Sequence, residues 1–328
     1  LVTSAALLLT LLFAAGAEAA KSGKLLYAKR IGGTSTTEAG AYAVAAGPKG
    51  VTALAGAQGK SGIFHPMVAK YTGAGKRVWL KRYTVVDQGS ADDVAFDRSG
   101  NVYVAATVYS RAGDDIVVLK YSAAGDLLWV TPPTYYGGEK HYEDAAELAV
   151  DGKGNVVVVG RSTREGLNGI VVLKYTKTGK PAWAEPTRWD PDPGNPKTKD
   201  LGPADLALDD EGDIYVAGSM SYVGFDTAAI WKARGSDGAK SGDWHYEPPH
   251  GDLSSFHALT VRGSSVVATG SARTEGVERS ENALIVKFDR GLQEKAAKEW
   301  GVGNKSGEWF RAAVIDGKGS VFVTGEQW

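Results

Sequence analysis

A chain of 328 residues, 43% apolar and 23% charged, has the composition of a globular protein with room for one or two domains. The absence of Cys excludes disulfides, thiolate metal sites, cysteine nucleophiles and a cysteine-borne lipid anchor. Thirty-seven basic against 38 acidic residues give a formal charge of −1, which favours neither nucleic acid nor an anionic membrane as a partner.

Residues 1–20, LVTSAALLLTLLFAAGAEAA, read as a signal peptide: an apolar stretch from Ala5 to Ala15 precedes the A-x-A pattern Ala17-Glu18-Ala19. The stretch is too short for a comfortable membrane span. An initiator Met and a basic leading segment are missing, so the sequence is expected to begin inside its gene. Removing Glu18 leaves 37 acidic residues against 37 basic ones and a formally neutral mature chain.

From residue 21 onward one unit recurs, seen most clearly between Ser90 and Val130. An apolar strand ends in Gly or Ala at Gly56, Ala106, Gly160, Gly218, Gly270 and Gly325, a spacing of 50 to 58 residues that belongs to repeat architectures. A second run ends in Lys at Lys70, Lys120, Lys174, Lys232 and Lys287. A Trp follows in three copies, at Trp79, Trp129 and Trp183, each with a Gly four residues before it; Trp244 and Trp300 come later behind insertions.

The period-2 pattern gives four strands a–d per copy. Asp97-Arg98-Ser99-Gly100-Asn101 and its counterparts at Asp151 and Asp209 are hairpin turns between a and b. Strand b, as in Val156 to Gly160, is apolar on both faces and needs cover on both. Four-stranded antiparallel blades stacked radially supply it. The expected fold is therefore all-β, a β-propeller of six blades with the last incomplete.

The expected domains are the signal peptide, 1–20, and one propeller, 21–328. Its blade repeats are placed at about 34–83, 84–133, 134–189, 190–248 and 249–302. A partial blade, 303–328, is expected to be closed by strand 24–31, where Tyr27 stands in the Trp position. The stretch from Glu185 to Leu201, rich in Pro and Asp, is expected to be an irregular insertion, and Pro248-Pro249 an irregular connection.

The a–b and c–d turns share one face; the b–c loops and d–a connections share the other. The second set varies in length and sequence, which makes that face the expected binding surface. Its aromatic and imidazole candidates are Tyr135, Tyr136, His141, Tyr142, Trp189, Tyr222, Phe225, His245, His250, His257 and Trp309, with Tyr246, Phe256 and Phe310 nearby. Its carboxylates are Asp92, Asp93, Glu143, Asp144 and Glu308, with Asp205 and Asp252 at comparable positions. Aromatic platforms with carboxylates suit sugar rings and peptide partners alike. The competing reading has the aromatics packing loops and the acids capping turns.

Other signals are weaker. His245, His250 and His257 match no zinc spacing, and Pro191 and Pro193 interrupt the oxygen ligands Asp190, Asp192, Asn195 and Asp200. Gly59-Lys60-Ser61 lacks the first Gly of a phosphate loop. No metal, cofactor or catalytic residue is expected. Adjacent acids at Asp92/Asp93 and Glu143/Asp144 leave acid–base work open without a nucleophile beside them.

The unit D-x-x-G-N-V-Y-V-x-G, K-Y-x-x-x-G-x-x-x-W resembles bacterial SBBP-type β-propeller repeats over nearly everything from Lys24 to Trp328. VAFDRSGNVYV is also similar to NHL repeats, and KYSAAGDLLW to quinoprotein (PQQ-like) repeats. The resemblance implies a propeller that is secreted, periplasmic or on the cell surface, with no general activity attached. A quinoprotein would imply a larger ring, quinone, calcium and usually a vicinal disulfide, which zero Cys forbids. The leading expectation is a binding or scaffold protein, a monomer or a module of a larger surface protein, that takes a glycan or protein ligand. The alternative is a propeller hydrolase or lyase acting on an extracellular polymer with carboxylates near the channel mouth.

Overall fold

The structure is a computed structural model that describes residues 38–110, 113–133, 141–164, 166–191, 198–222, 225–246, 253–273, 281–301 and 307–327, with backbone alone for 141, 198 and 199. The expected signal peptide and the strand at 24–31 lie outside the described residues.

The chain is a β-propeller of antiparallel meanders. The first blade holds β1 (Glu38–Ala46), β2 (Thr52–Lys60), β3 (Ile63–Tyr71) and β4 (Arg77–Arg82). The second holds β5 (Gln88–Phe96), β6 (Val102–Ser110), β7 (Gly113–Tyr121) and β8 (Leu127–Val130). The third holds β9 (His141–Val150), β10 (Val156–Arg164), β11 (Leu167–Tyr175) and β12 (Thr187–Trp189). The fourth holds β13 (Thr198–Leu208), β14 (Ile214–Tyr222), β15 (Phe225–Ala233) and β16 (Lys240–His245). The fifth holds β17 (Ser254–Arg262), β18 (Ser265–Arg273), β19 (Glu281–Phe288) and β20 (Glu294–Trp300). Of a further blade, the described residues contain β21 (Glu308–Ile315) and β22 (Val321–Gln327).

Each of the three sequence anchors has a local physical cause. Every first strand bulges, leaving Tyr42, Asp92, Ala146, Ala204, His257 or Arg311 without a cross-strand partner. The residue before each bulge faces the small residue of the second strand: Gly56, Ala106, Gly160, Gly218, Gly270 or Gly325. A Cβ at Gly218 would collide with the Gly202 carbonyl oxygen, and one at Gly270 with that of Ser255. The recurrent glycine is therefore the imprint of the bulge.

The Lys and Trp anchors latch one blade to the next on the a–b/c–d face. Lys70 Nζ donates to the carbonyls of Gly100 (3.1 Å) and Ala123 (3.0 Å), and Trp79 Nε1 donates to Ala123 O (3.2 Å). Lys120 Nζ and Trp129 Nε1 both donate to Lys177 O, and Lys120 lies over the Tyr103 ring at 4.6 Å. Lys174 reaches Gly235 O and Lys232 reaches Arg290 O in the same way. Lys287, facing a blade whose described part ends with β22, is exposed.

The valine ribbon is covered on both sides. Val156 and Val158 pack against Tyr103, Ile116 and Val118 of the second blade, while Val157 and Val159 pack against Ile214 and Val216 of the fourth. All four valines are fully buried, worth about 1.5–3 kcal/mol each as an upper range.

Two features depart from the expected layout. In the first four blades the second strand runs on for four residues past its glycine or alanine, so β6 and β7, β10 and β11, and β14 and β15 are each separated by two residues. The glycine satisfies the bulge opposite it and does not end the strand. On the b–c/d–a face, length variation is thereby confined to the d–a connections and the link from β18 to β19. In the third blade Trp183 precedes the outer strand, because Pro181 and Pro186 supply no N–H and pairing resumes only at Thr187. The stretch expected as an irregular insertion thus contains β12 and the start of β13.

Candidate functional site

The long second strands bring a line of accessible side chains to the b–c/d–a face. Parallel pairing of Gly113 with His141 and Asp114 with Tyr142 joins the second blade to the third; Asn168 pairs with Asp200 to join the third to the fourth. The result is one continuous sheet across three blades. Its register sets Gln88, Tyr109, Asp114, Tyr142, Thr163, Asn168 and Asp200 opposite one another in turn. Directly opposed residues project to the same side, with strands about 4.8 Å apart. Tyr109 and Tyr142, 40% and 50% exposed, therefore flank Asp114 at about one strand spacing each. Thr163 Oγ1 lies 2.6 Å from Asn168 Oδ1 and donates to it; Asn168 N donates to Asp200 Oδ1 at 3.1 Å.

Behind this line sit Asp92 and Asp144. Asp92 accepts hydrogen bonds from Ser90 Oγ (2.6 Å), Thr107 N (2.8 Å) and Thr107 Oγ1 (2.6 Å). Burial nevertheless raises its pKa to about 6, with Asp144 adding to the rise. Asp114 is raised by burial and then by Asp144. Burial is also the largest influence on Tyr109, which Asp92, Asp144 and Asp114 push up further. Tyr109 is held as a neutral phenol, a hydrogen-bond donor rather than a base.

A second carboxylate group lies on the innermost strands, one residue past the bulges. Asp93 accepts from Val94 N (2.7 Å) and, across the blade junction, from Leu148 N (2.8 Å). Asp205 repeats this with Leu206 N (2.7 Å) and Leu259 N (2.6 Å). Glu147 occupies the same position in the third blade and hydrogen-bonds Asp93. Burial raises Glu147 strongly, and the charges of Asp93 and Asp205 add to it, so the pair holds a shared proton. Asp205 is raised to about 6 by burial. Asp93 and Asp205 brace neighbouring blades through backbone N–H groups.

The other expected site residues are spread through the fold. Glu143 is buried, accepts from Ser162 Oγ at 3.1 Å, and lies 3.9 Å from Arg188 Nη1. Trp189 is in the core beside Trp183 and Trp231. Tyr222 and Phe225 stack at 4.9 Å across the β14–β15 connection. His245 is exposed on β16. His257 bridges Ser255 Oγ (2.8 Å) and the Phe310 carbonyl (3.1 Å), and burial lowers its pKa.

Glu308 is buried, with no hydrogen-bond partner for either oxygen among the described residues. Trp309 next to it has the Arg311 guanidinium over its ring at 5.1 Å. Tyr135, Tyr136, His250, Asp252 and the side chain of His141 lie outside the described residues. No group of three or more metal-binding side chains converges among the described residues.

Tyr109, Asp114 and Glu147 were not among the expected residues. Alignment of DVAFD (Asp93), ELAVD (Glu147) and DLALD (Asp205) on the turn aspartate is the signal that identifies Glu147.

No family model matches this chain, and no curated protein matches it. Solved structures do. The polysaccharide lyase Uly1 superposes with a TM-score of 0.53 at 9% identity, over 87% of this chain and 73% of that one. An ulvan lyase described as a new polysaccharide lyase family, PL25, gives 0.52 at 11%, over 90% and 78%. A protein of unknown function from Dyadobacter fermentans DSM 18053 gives 0.50 at 12%, over 90% and 95%. At these identities the likeness is one of fold, and it places the chain in the β-propeller class.

Proposed function

We propose that this chain is a secreted binding propeller that recognises a glycan through the b–c/d–a face of its second to fourth blades. The line Tyr109–Asp114–Tyr142–Thr163–Asn168 carries the reading, because it sets two accessible phenol rings around a carboxylate on a rigid three-blade sheet. Phenol rings stack on the C–H faces of sugars, while carboxylate, hydroxyl and amide groups accept from or donate to sugar hydroxyls. Most remaining carboxylates of this region are engaged by backbone and hydroxyl donors, which fits binding better than acid–base turnover. The apolar run and A-x-A pattern at residues 5–19 support export, and no helix among the described residues is long and apolar enough to cross a membrane. The repeat resembles the SBBP type, which fits an extracellular role.

The test is a screen of the mature chain against neutral, amino-bearing and uronate-bearing polysaccharides, with Tyr142→Ala and Asp114→Ala beside the parent. Loss of about tenfold or more in affinity for a hit in both variants, or about 1.4 kcal/mol, is expected. Retention of no glycan, or equal binding by the variants, overturns the reading. A second reading is a hydrolase or lyase, favoured by Asp92, whose raised pKa keeps a proton available near neutrality. It requires new reducing or unsaturated ends from any bound polymer, abolished in Asp92→Asn.

A further inference from the structure

Tyr109 and Tyr142 stand on either side of Asp114 in the sheet register, two strand spacings or about 9–10 Å apart. Both rings are accessible. Successive pyranoses of an extended β-1,4-linked chain advance by about the same step as the strands of a sheet. A chain laid across the strands therefore sets alternate sugars on the two rings and the sugar between them over Asp114.

The charge at that middle position is uncompensated. Asp144 lies two residues past Tyr142 and so on the same side of its strand. Its charge raises the pKa of Asp92 and of Asp114, in each case after burial. Among the described residues, no basic side chain pairs with Asp92, Asp114, Asp144 or Asp200. Arg161 is opposite Asp144 in the register, yet its guanidinium lies towards Gly202 of the fourth blade. Glu143 and Asp190, by contrast, have Arg188 beside them. A cation on the open line relieves its charge, whereas a uronate meets like charge at close range. The phenol faces act in the same direction, because their π clouds attract cations.

We propose, on the reading of this face as a glycan site, that its ligand is an extended chain of amino-bearing sugars. A protonated amine sits over Asp114, and the flanking sugars stack on Tyr109 and Tyr142. The rings select the chain and its step; the carboxylates select its charge.

The test is titration of the mature chain with β-1,4-linked glucosamine oligomers, their N-acetylated counterparts and uronate oligomers of equal length. The free-amine trimer should bind about tenfold or more tighter than the acetylated trimer, and tighter than the free-amine dimer by a similar factor. Asp114→Asn should bring the amine and acetylated forms together, while Tyr142→Ala weakens both. Acetylated or uronate oligomers bound as tightly as the amine, and still weakened by Tyr142→Ala, overturn the charge assignment and leave the glycan reading standing. Poly-lysine of matched charge bound as tightly as the amine oligomer overturns it as well, because the rings then read no sugar. Equal affinities for dimer and trimer overturn the spacing. Binding of no oligomer of any kind removes the glycan reading and this assignment together.

Discussion

Glu147 and Asp93 share a proton on the innermost strands, and that arrangement makes stability depend on pH in an uncommon direction. Burial lifts the folded pKa of Glu147 above its unfolded value, so the folded state binds more protons. Its unfavourable contribution is absent below the ordinary carboxylate range and grows as pH rises towards the folded pKa. Asp92 and Asp205, each raised to about 6, add the same trend between roughly pH 4 and 6. Glu147→Gln keeps a neutral donor for Asp93 and removes the titration. Thermal melts should show the variant more stable than the parent at about pH 8, with the gap closing at about pH 5. A gap that does not change with pH rejects the shared proton. Gly218 makes a second case at this scale: Gly218→Ala drives a Cβ into the Gly202 carbonyl oxygen and should cost about 1–3 kcal/mol in urea unfolding.

At the level of elements, the junction between blades rests on third-strand lysines whose ammonium groups enter the turns of the next blade. Lys70 is 5% exposed and donates to two carbonyls there. Replacing it with Met keeps most of the stem packing but strands the Gly100 oxygen and leaves Ala123 O with the Trp79 indole N–H alone. The expected loss is about 1–3 kcal/mol. Lys287→Met, made where the lysine is exposed, should change stability by less than about 0.5 kcal/mol. Equal effects from the two would mean that the aliphatic stem, not the hydrogen bonds, carries the junction.

These latches also explain which parts of the fold were legible. Lys and Trp recur because they meet the turns of the next blade, and Gly because it faces the bulge of its own first strand, so spacing alone revealed the propeller. The bulge left a glycine as its trace but gave no sign of where the strand ended. Tyr109 and Asp114, beyond Ala106 in the equivalent position, carry no mark in the sequence, because only the extended pairing of β6 with β7 puts them on the sheet. Glu147 was plain in ELAVD, yet its proton depends on Asp93 in another blade, a proximity that only coordinates provide.

At the scale of the whole molecule, blades contact their sequence neighbours, so stability follows the continuity of the ring more than any single core. The second, third and fourth blades form one hydrogen-bonded sheet, with valines of the third buried on both sides. Opening the third exposes faces of both the second and the fourth. The strands β21 and β22 contribute a two-stranded sheet, much of whose surface is accessible.

Local opening follows apolar contact and backbone protection, so amide exchange should rank these regions differently. Amides in β6, β10 and β14 should exchange together at the slowest rates, through near-global unfolding. Those in β21 and β22 should exchange orders of magnitude faster, through local opening. The candidate glycan surface would then rest on the most protected part of the chain, which is where a pre-organised site belongs. Uniform protection across all the blades, or early exchange in β10, would mean that cooperativity is spread round the ring and that the three-blade sheet confers no special rigidity.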